Sequence, residues 1–194
     1  SLPPGFPATE VDGEYYWDGG VVSNTPLQWV LDNRPRLDTL AFQVDLWSAR
    51  GELPRDMIEV DVRQKDIRYS SRTRASTDQF RAIQSMRRAV SRLLDRLPPE
   101  LRQSAEAELL ATEADEKVYN IIHLIYHARR YEGSSKDFEF SRRTMEEHWA
   151  SGYDDMARTL AHPEVLQRPQ SPDGVFTFDL KMQGRNQEKD HEDR

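Results

Sequence analysis

The sequence predicts an α/β fold whose N-terminal part is followed by a mainly helical extension. Two runs have the length and composition of buried strands: residues 37–47 are mostly apolar, and residues 118–128 are rich in β-branched and aromatic side chains. Between them, from about 56 to 112, apolar residues recur every three or four positions, which is the period of an amphipathic helix. We therefore expect strands that helices cover on both faces.

Composition argues against several classes of function. The 194 residues include 27 Lys and Arg against 34 Asp and Glu, a net charge of -7, so binding to nucleic acid is not expected. The absence of cysteine excludes disulfides, thiolate catalysis and cysteine-based zinc sites, and it suits a reducing cytosol. No apolar run approaches the roughly 20 residues of a membrane-spanning helix. We expect a cytoplasmic protein whose contact with membranes is at most peripheral.

The N-terminal part begins with a loop, a hairpin and a short helix. Residues 1–8 contain three prolines and a glycine, which disfavour regular helix. Asp12 and Gly13 predict a tight hairpin turn before an aromatic-rich strand, because both residues tolerate a positive φ. Asn24 and Pro26 then predict the N-cap and the first turn of a helix.

The extension contains two amphipathic helical stretches and ends in a polar tail. We expect the apolar stripe of the first stretch to belong to the core; its members are Phe80, Ile83, Met86, Ala89, Val90, Leu93, Leu94 and Leu97. A second helix follows Ser141 and ends at His162. Trp47, Trp149 and Tyr153 are expected to be buried, although a role in lining a ligand pocket stays open. Residues 183–194 are too polar to pack and are expected to be disordered.

Asp18, Gly19 and Gly20 form the motif that carries chemistry. Glycines let the backbone turn sharply, and they let another group approach the carboxylate. Taken alone, however, Asp-Gly-Gly is first of all a good turn sequence. The motif by itself therefore leaves a structural and a catalytic interpretation open.

The residues around the motif resemble a known family. The segments are LPPGFPA at residues 2–8 and YWDGGVVSNTPL at residues 16–27. Their order, spacing and residue types are similar to those of patatin-like phospholipases, in which a proline-rich loop leads to a hairpin, Asp-Gly-Gly and an Asn-x-Pro helix start. The resemblance implies a three-layer α/β/α sandwich and hydrolysis of lipid acyl esters.

The resemblance also implies a role for each residue of the motif. In that family an aspartate activates a serine on a Gly-x-Ser-x-Gly elbow, and Asp18 matches that aspartate. Gly19 and Gly20 would position Asp18, while Asn24 and Pro26 would fix the following helix. A serine hydroxyl is a poor nucleophile until a base accepts its proton, and a carboxylate shielded from water can do so. No metal or organic cofactor is implied.

The chain departs from the family pattern because it contains neither a Gly-x-Ser-x-Gly elbow nor the glycine-rich oxyanion loop. The family places both upstream of Asp-Gly-Gly, so we expect a C-terminal piece, truncated or cleaved, that is inactive without the N-terminal part. On this interpretation residues 1–50 belong to the hydrolase domain. Residues 51–182 resemble the mainly helical C-terminal extension of a bacterial subgroup, with a strand near 118–128. No catalytic residue carries over there.

Two other functions are weighed against this one. His123 and His127 lie four residues apart, but a metal site needs a third ligand and none is evident, so packed or solvent-facing histidines are favoured.

The second alternative function is a non-catalytic helical module for self-association or membrane docking. Arginines in the middle of the chain either pair with carboxylates or face anionic lipid, and the first reading is favoured. They are Arg63, Arg68, Arg72, Arg74, Arg81, Arg87, Arg88, Arg92, Arg96 and Arg102.

Overall fold

The computed structural model describes residues 3, 5–23, 25–48, 51–70, 73–126 and 141–180. The elements in chain order are β1 Thr9–Val11, β2 Glu14–Tyr16, α1 Leu27–Asp32, β3 Thr39–Asp45, α2 Met57–Tyr69, α3 Thr73–Arg96, α4 Pro99–Arg102, α5 Ala105–Glu113, β4 Tyr119–Ile125, α6 Arg142–Leu160 and β5 Val175–Asp179. The predicted strands, the helical middle and the helix after Ser141 are confirmed. The predicted tail at 183–194, Arg72 and His127 lie outside the described residues.

The chain divides into two compact units, each assembled from three stretches. The first unit contains residues 1–26, 44–73 and 125–152, and the second contains residues 27–43, 74–124 and 153–194. Each unit is therefore built from segments that are distant in sequence. The assignment of residues 1–50 and 51–182 to separate domains stays a prediction.

In the first unit, the buried carboxylate of Asp45 organises the chain around it. Its Oδ2 accepts a hydrogen bond from Thr73 Oγ1 at 2.9 Å, and its Oδ1 accepts one from the Trp47 backbone N–H at 3.1 Å. The Trp47 ring lies 5.6 Å from the Tyr69 ring at the end of α2. Trp47 is only 9% exposed, so its predicted burial is confirmed.

The second unit is built on a three-stranded sheet with the order β3-β4-β5. Strands β4 and β5 are parallel, with Tyr119 beside Val175. Strand β3 also runs parallel to β4, because the Thr39 N–H bonds to the Val118 carbonyl at one end and the Tyr126 N–H bonds to the Asp45 carbonyl at the other. This parallel sheet confirms the α/β class.

One face of the sheet holds the larger apolar core, beneath α1 and α3. Side chains alternate along a strand, so the odd-numbered residues of β4 share this face. Phe80 of α3 packs edge-on against Tyr119 of β4, with ring centroids 4.9 Å apart. The buried cluster consists of Leu27, Leu31, Phe80, Tyr119, Ile121 and Val175, with Ala41 of β3 packed against it.

The opposite face of the sheet is covered by a short 3-10 helix at Pro163–Leu166. Its Val165 packs with Ile122 of β4 and Phe178 of β5, and all three side chains are buried. The Asn120 side-chain amide donates to the backbone carbonyl of Val165 at 3.0 Å, which fixes the segment over the strand. Strands β4 and β5 of this sheet thus have helical segments packed on both faces.

Strand β3 corrects one expectation, because only one of its faces is covered. Leu40, Phe42 and Val44, which alternate along the strand, are 46%, 39% and 55% exposed. The packed cluster on that side contains residues of β4 and β5 but none of β3 among the described residues. The apolar composition predicted the strand correctly, but it did not show what would cover it.

Helix surfaces account for a second correction. Phe80 is buried as expected, but Met86 and Leu93 of the same stripe are exposed, and Leu94 is half-buried. Trp149 and Tyr153 on α6 are also exposed rather than buried. Periodicity identifies a helix and its apolar stripes, but it does not reveal which stripe the sheet will bury.

Many of the arginines in the middle of the chain find partners within it. Arg87 donates to Asp32 at 3.1 Å, and Arg81 lies 3.4 Å from Asp173. Pairing with carboxylates is confirmed for Arg63, Arg74, Arg81, Arg87 and Arg88, whereas Arg102 bonds to backbone carbonyls. Their charge is therefore committed to intramolecular contacts.

A row of three polar side chains crosses the carboxyl end of the sheet on the α3 face. The strand register places His123 beside Asp179, and the β3–β4 hydrogen bonds place Gln43 on its other side. All three are buried. The His123 Nε2 lies 3.0 Å from Thr77 Oγ1, whereas Nδ1 has no hydrogen-bond partner among the described residues. Burial, opposed by the Asp179 charge, lowers the pKa of His123 from 6.5 to about 4.

This burial of His123 predicts a specific loss of stability in mild acid. Between pH 6.5 and 4 the histidine is protonated in the unfolded chain and neutral in the folded one, so unfolding takes up a proton. The free energy of unfolding should fall by about 3 kcal/mol as the pH drops through this window. Denaturant unfolding of the wild type and His123→Gln at several pH values tests this, because glutamine keeps a polar group near Thr77 but does not titrate. Parallel profiles for the two chains would contradict the prediction.

Candidate functional site

The β1–β2 hairpin leads directly to Asp18 in the first unit. Its strands are antiparallel, and Thr9 pairs with Tyr16. The turn residues Asp12 and Gly13 have φ angles of 53° and 84°, which is the conformation expected for an Asp-Gly hairpin turn. The predicted hairpin is therefore confirmed, and Asp18 lies two residues after the end of its second strand.

The side chain of Asp18 caps the turn that follows it. Residues Gly19–Val21 form a 3-10 helix with Asp18 as the N-cap. The Oδ1 atom accepts a hydrogen bond from the Gly20 backbone N–H at 2.7 Å, and the Asp18 backbone carbonyl accepts one from the Val21 N–H at 3.2 Å. One carboxylate oxygen is thus held by the backbone, which fixes the direction of the carboxyl group.

Gly19 contributes open space rather than an unusual backbone angle. An added Cβ at this position would have no atom within 4 Å. The turn is a 3-10 helix, so Gly19 and Gly20 adopt helical rather than left-handed angles. The open space at Gly19 agrees with the expectation that a glycine lets another group approach the carboxylate. The expected sharp turn, in contrast, forms without a positive φ at either glycine.

Exposed apolar side chains surround the carboxylate in sequence. Asp18 itself is exposed. The neighbouring exposed side chains are Tyr15, Tyr16, Trp17, Val21 and Val22, with exposed fractions of 71%, 55%, 57%, 52% and 93%. The residues of this chain leave Asp18 open to water, and a base that accepts a proton from serine works best where water is excluded.

The two residues predicted to start the next helix give a mixed outcome. Pro26 directly precedes Leu27, the first residue of α1, as expected for a proline at a helix start. Asn24 lies outside the described residues, so its N-cap role stays a prediction. The helix ends at Asp32, before the Arg34-Pro35 pair.

Metal and pocket chemistry are limited in the part of the chain that the structure describes. Within it, no group of three or more His, Asp or Glu side chains could hold a metal ion.

A surface pocket of about 370 Å³ is lined by Arg34, Arg36 and residues 114–117. Both arginines bind the carboxylate of Glu113, at 2.6 and 2.9 Å, which offsets part of their positive charge. Across the described ranges, no helix has the length and hydrophobicity needed to cross a bilayer.

Comparison with known proteins gives two matches to families. The family model for Patatin phospholipase matches residues 67–172, and the model for Patatin-like phospholipase matches residues 1–31. The match to residues 1–31 includes Asp18 and its turn, and the match to residues 67–172 covers more than half of the chain. No curated protein and no solved structure matches.

The cap geometry predicts how the turn responds to substitution of Asp18. Asp18→Ala removes the acceptor for the Gly20 N–H, whereas Asp18→Asn keeps an oxygen in place. Loss of an N-cap acceptor should increase hydrogen exchange at the Gly20 amide roughly fivefold, and asparagine should leave it close to the wild-type rate. Exchange measured by NMR on the three chains distinguishes them. Equal rates in the alanine and asparagine variants would show that the cap does not hold the turn.

Proposed function

Because the chain belongs to the patatin-like phospholipase family, we propose that it is the C-terminal part of a serine lipid acyl hydrolase with Asp18 as the base of a Ser–Asp dyad. The observation that carries this proposal is the state of the Asp18 carboxylate. One oxygen is held by the Gly20 N–H, and the residue is exposed beside a glycine that leaves space around it.

The proposed chemistry uses that arrangement directly. A serine Oγ attacks the carbonyl carbon of the ester while Asp18 accepts the hydroxyl proton. The carbon–oxygen bond to the alcohol then breaks, and the alcohol leaves with that proton. Water attacks the acyl-serine, Asp18 again takes a proton, and the fatty acid is released as serine is regenerated. The bond to Gly20 prevents rotation of the carboxylate, so the base is positioned before the serine arrives.

The serine must come from residues beyond these 194, since the chain contains no Gly-x-Ser-x-Gly sequence. We place it in the N-terminal part of the same hydrolase domain. The exposed apolar side chains next to Asp18 support this, because isolated two-stranded hairpins are only marginally stable, and the exposed Tyr15 and Tyr16 of β2 and Val11 of β1 favour a covering partner. Covering them would exclude water from Asp18.

The proposed substrate is a carboxylic ester of a lipid, and no cofactor takes part in the reaction. Peripheral contact with a membrane in the cytoplasm fits such a substrate. The absence of cysteine is consistent with that compartment.

A second candidate function, a helical interaction module, is favoured by one specific observation. Met86 and Leu93 on α3 are 62% and 55% exposed, although both are large apolar residues in a long helix. Exposed apolar faces of this kind mark contacts with other molecules. Such a module would accompany the hydrolase and not replace it.

Asp18→Asn in the full-length protein tests the catalytic proposal. Asparagine keeps the cap but cannot accept a proton, so kcat for a soluble p-nitrophenyl ester should fall roughly 10³-fold or more, with KM little changed. The matched control is Asp12→Asn, which alters another exposed carboxylate of the same hairpin. Asparagine tolerates the positive φ at that position.

Three measurements decide the outcome of this test. Thermal unfolding should show that both variants fold like the wild type. A fluorophosphonate probe should label one serine in the wild type and label it far more slowly in Asp18→Asn. Unchanged hydrolysis in Asp18→Asn, or a full-length sequence without Gly-x-Ser-x-Gly, would rule out the dyad.

A further inference from the structure

Helix α3 has two opposite stripes, and only one of them is used by the fold. Thr77, Phe80 and Gln84 are buried beneath it. The other stripe is exposed along the helix at alternating intervals of four and three residues; its members are Ala75, Gln79, Ala82, Met86, Ala89 and Leu93. A solvent-facing stripe of a surface helix is normally polar, so this composition calls for an explanation.

The spacing of the exposed stripe is that of a helix that packs against another helix. Alternation of four and three residues gives the heptad repeat, in which the a and d positions form the contact seam. Met86 and Leu93 supply large apolar groups, at 62% and 55% exposure. The alanines between them allow the two backbones to approach closely. The stripe therefore fits a helical partner better than a flat surface.

Charged residues beside the stripe identify the partner. Asp78 and Arg92 lie on one flank, two heptads apart, with Ser85 midway between them. Both charged side chains are exposed, and neither makes an ion pair with any other residue of the described part of the chain. A helix that is acidic on this flank near its start and basic near its end complements a copy of itself running in the opposite direction.

We propose that α3 pairs antiparallel with α3 of a second copy of this chain. With the two-fold axis near residue 84, Met86 of one copy packs against Ala82 of the other, and Leu93 packs against Ala75. Asp78 of each copy then faces Arg92 of the other, which gives two identical ion pairs across the dimer. The contact is isologous, as in most soluble dimers.

The antiparallel direction follows from the same charges. A parallel pair in register would place this flank beside the opposite flank of the partner helix, so Asp78 and Arg92 would not meet. It would also align the two helix dipoles, whereas antiparallel helices oppose them. A lipid surface or an unrelated acidic or basic protein would not need the paired pattern of charges.

Reversal of the charges tests this pairing on the full chain. Asp78→Arg and Arg92→Asp should each weaken dimerisation roughly tenfold, since each change replaces two attractive contacts with two repulsive ones. The double variant should recover wild-type affinity. Sedimentation velocity over a range of concentrations measures the dissociation constant. Met86→Glu should give a monomer, and Leu109→Glu, at an exposed leucine of α5, is the matched control that should not.

The direction of the helices is tested by disulfide trapping, because the chain has no cysteine of its own. A cysteine at Ser85→Cys lies beside the two-fold axis, next to its own equivalent, and should form a disulfide dimer on oxidation. A cysteine at Ala75→Cys lies about 27 Å along the helix axis from its equivalent in an antiparallel pair and should not.

Three results would overturn the proposal. A wild-type chain that remains monomeric at every concentration, including one bound only to lipid or to another protein, has no such pairing. A double charge reversal as weak as the single ones removes the Asp78–Arg92 contact. A disulfide formed through Ala75→Cys excludes the antiparallel direction.

Discussion

The contact between α3 and the sheet is the interaction on which the second unit depends. Along two turns of the helix, Arg74 binds Asp179, the Thr77 side chain lies against His123, and Phe80 packs on Tyr119. The apolar part supplies most of the stabilising free energy, because burial of an aromatic side chain removes a large area from water. The polar part supplies register, because a shift of one residue would leave the buried His123 and Asp179 without their partners. Parallel strands β4 and β5, which pair only through long crossovers, are held by this helix.

Because one side of α3 packs against the sheet, the opposite side of the helix is available for a partner. A helix with a single apolar stripe has no exposed face to offer once it is folded, whereas α3 keeps Met86 and Leu93 at the surface. The two stripes have the same period, so the period alone does not show which of them the sheet will bury. Polar groups mark the difference: Thr77 and Gln84 bond to the chain on the buried side, and Asp78 and Arg92 flank the exposed one.

Element positions could be predicted from the sequence, but the partners of each face could not. Period and turn residues placed the hairpin, strand β4 and α6 within a few residues, because those signals are local. Burial of Met86, Trp149 and the outer face of β3 was predicted wrongly, since an apolar residue has the same sequence signature whether it is covered or not. Strand β5 was missed although Gly174 and the Val-Phe-Thr-Phe run mark a turn followed by a strand. Asp18 was singled out by its context, while its cap bond to Gly20 became visible only in three dimensions.

The hydrogen bond from Gly20 fixes the Asp18 carboxylate for its proposed catalytic role, and that role explains why the N-cap of this turn is an aspartate. A carboxylate that served only as an N-cap could be exchanged for Ser, Thr or Asn, which accept the same hydrogen bond. A carboxylate that served only as a base would rotate freely and would lose entropy each time a serine approached. At Asp18 one oxygen is fixed by the Gly20 N–H, and Gly19 leaves the adjacent space open. The turn is therefore complete without the serine, and the exposed residues directly before and after it, Tyr16, Trp17, Val21 and Val22, are apolar or aromatic, as a surface that must exclude water requires.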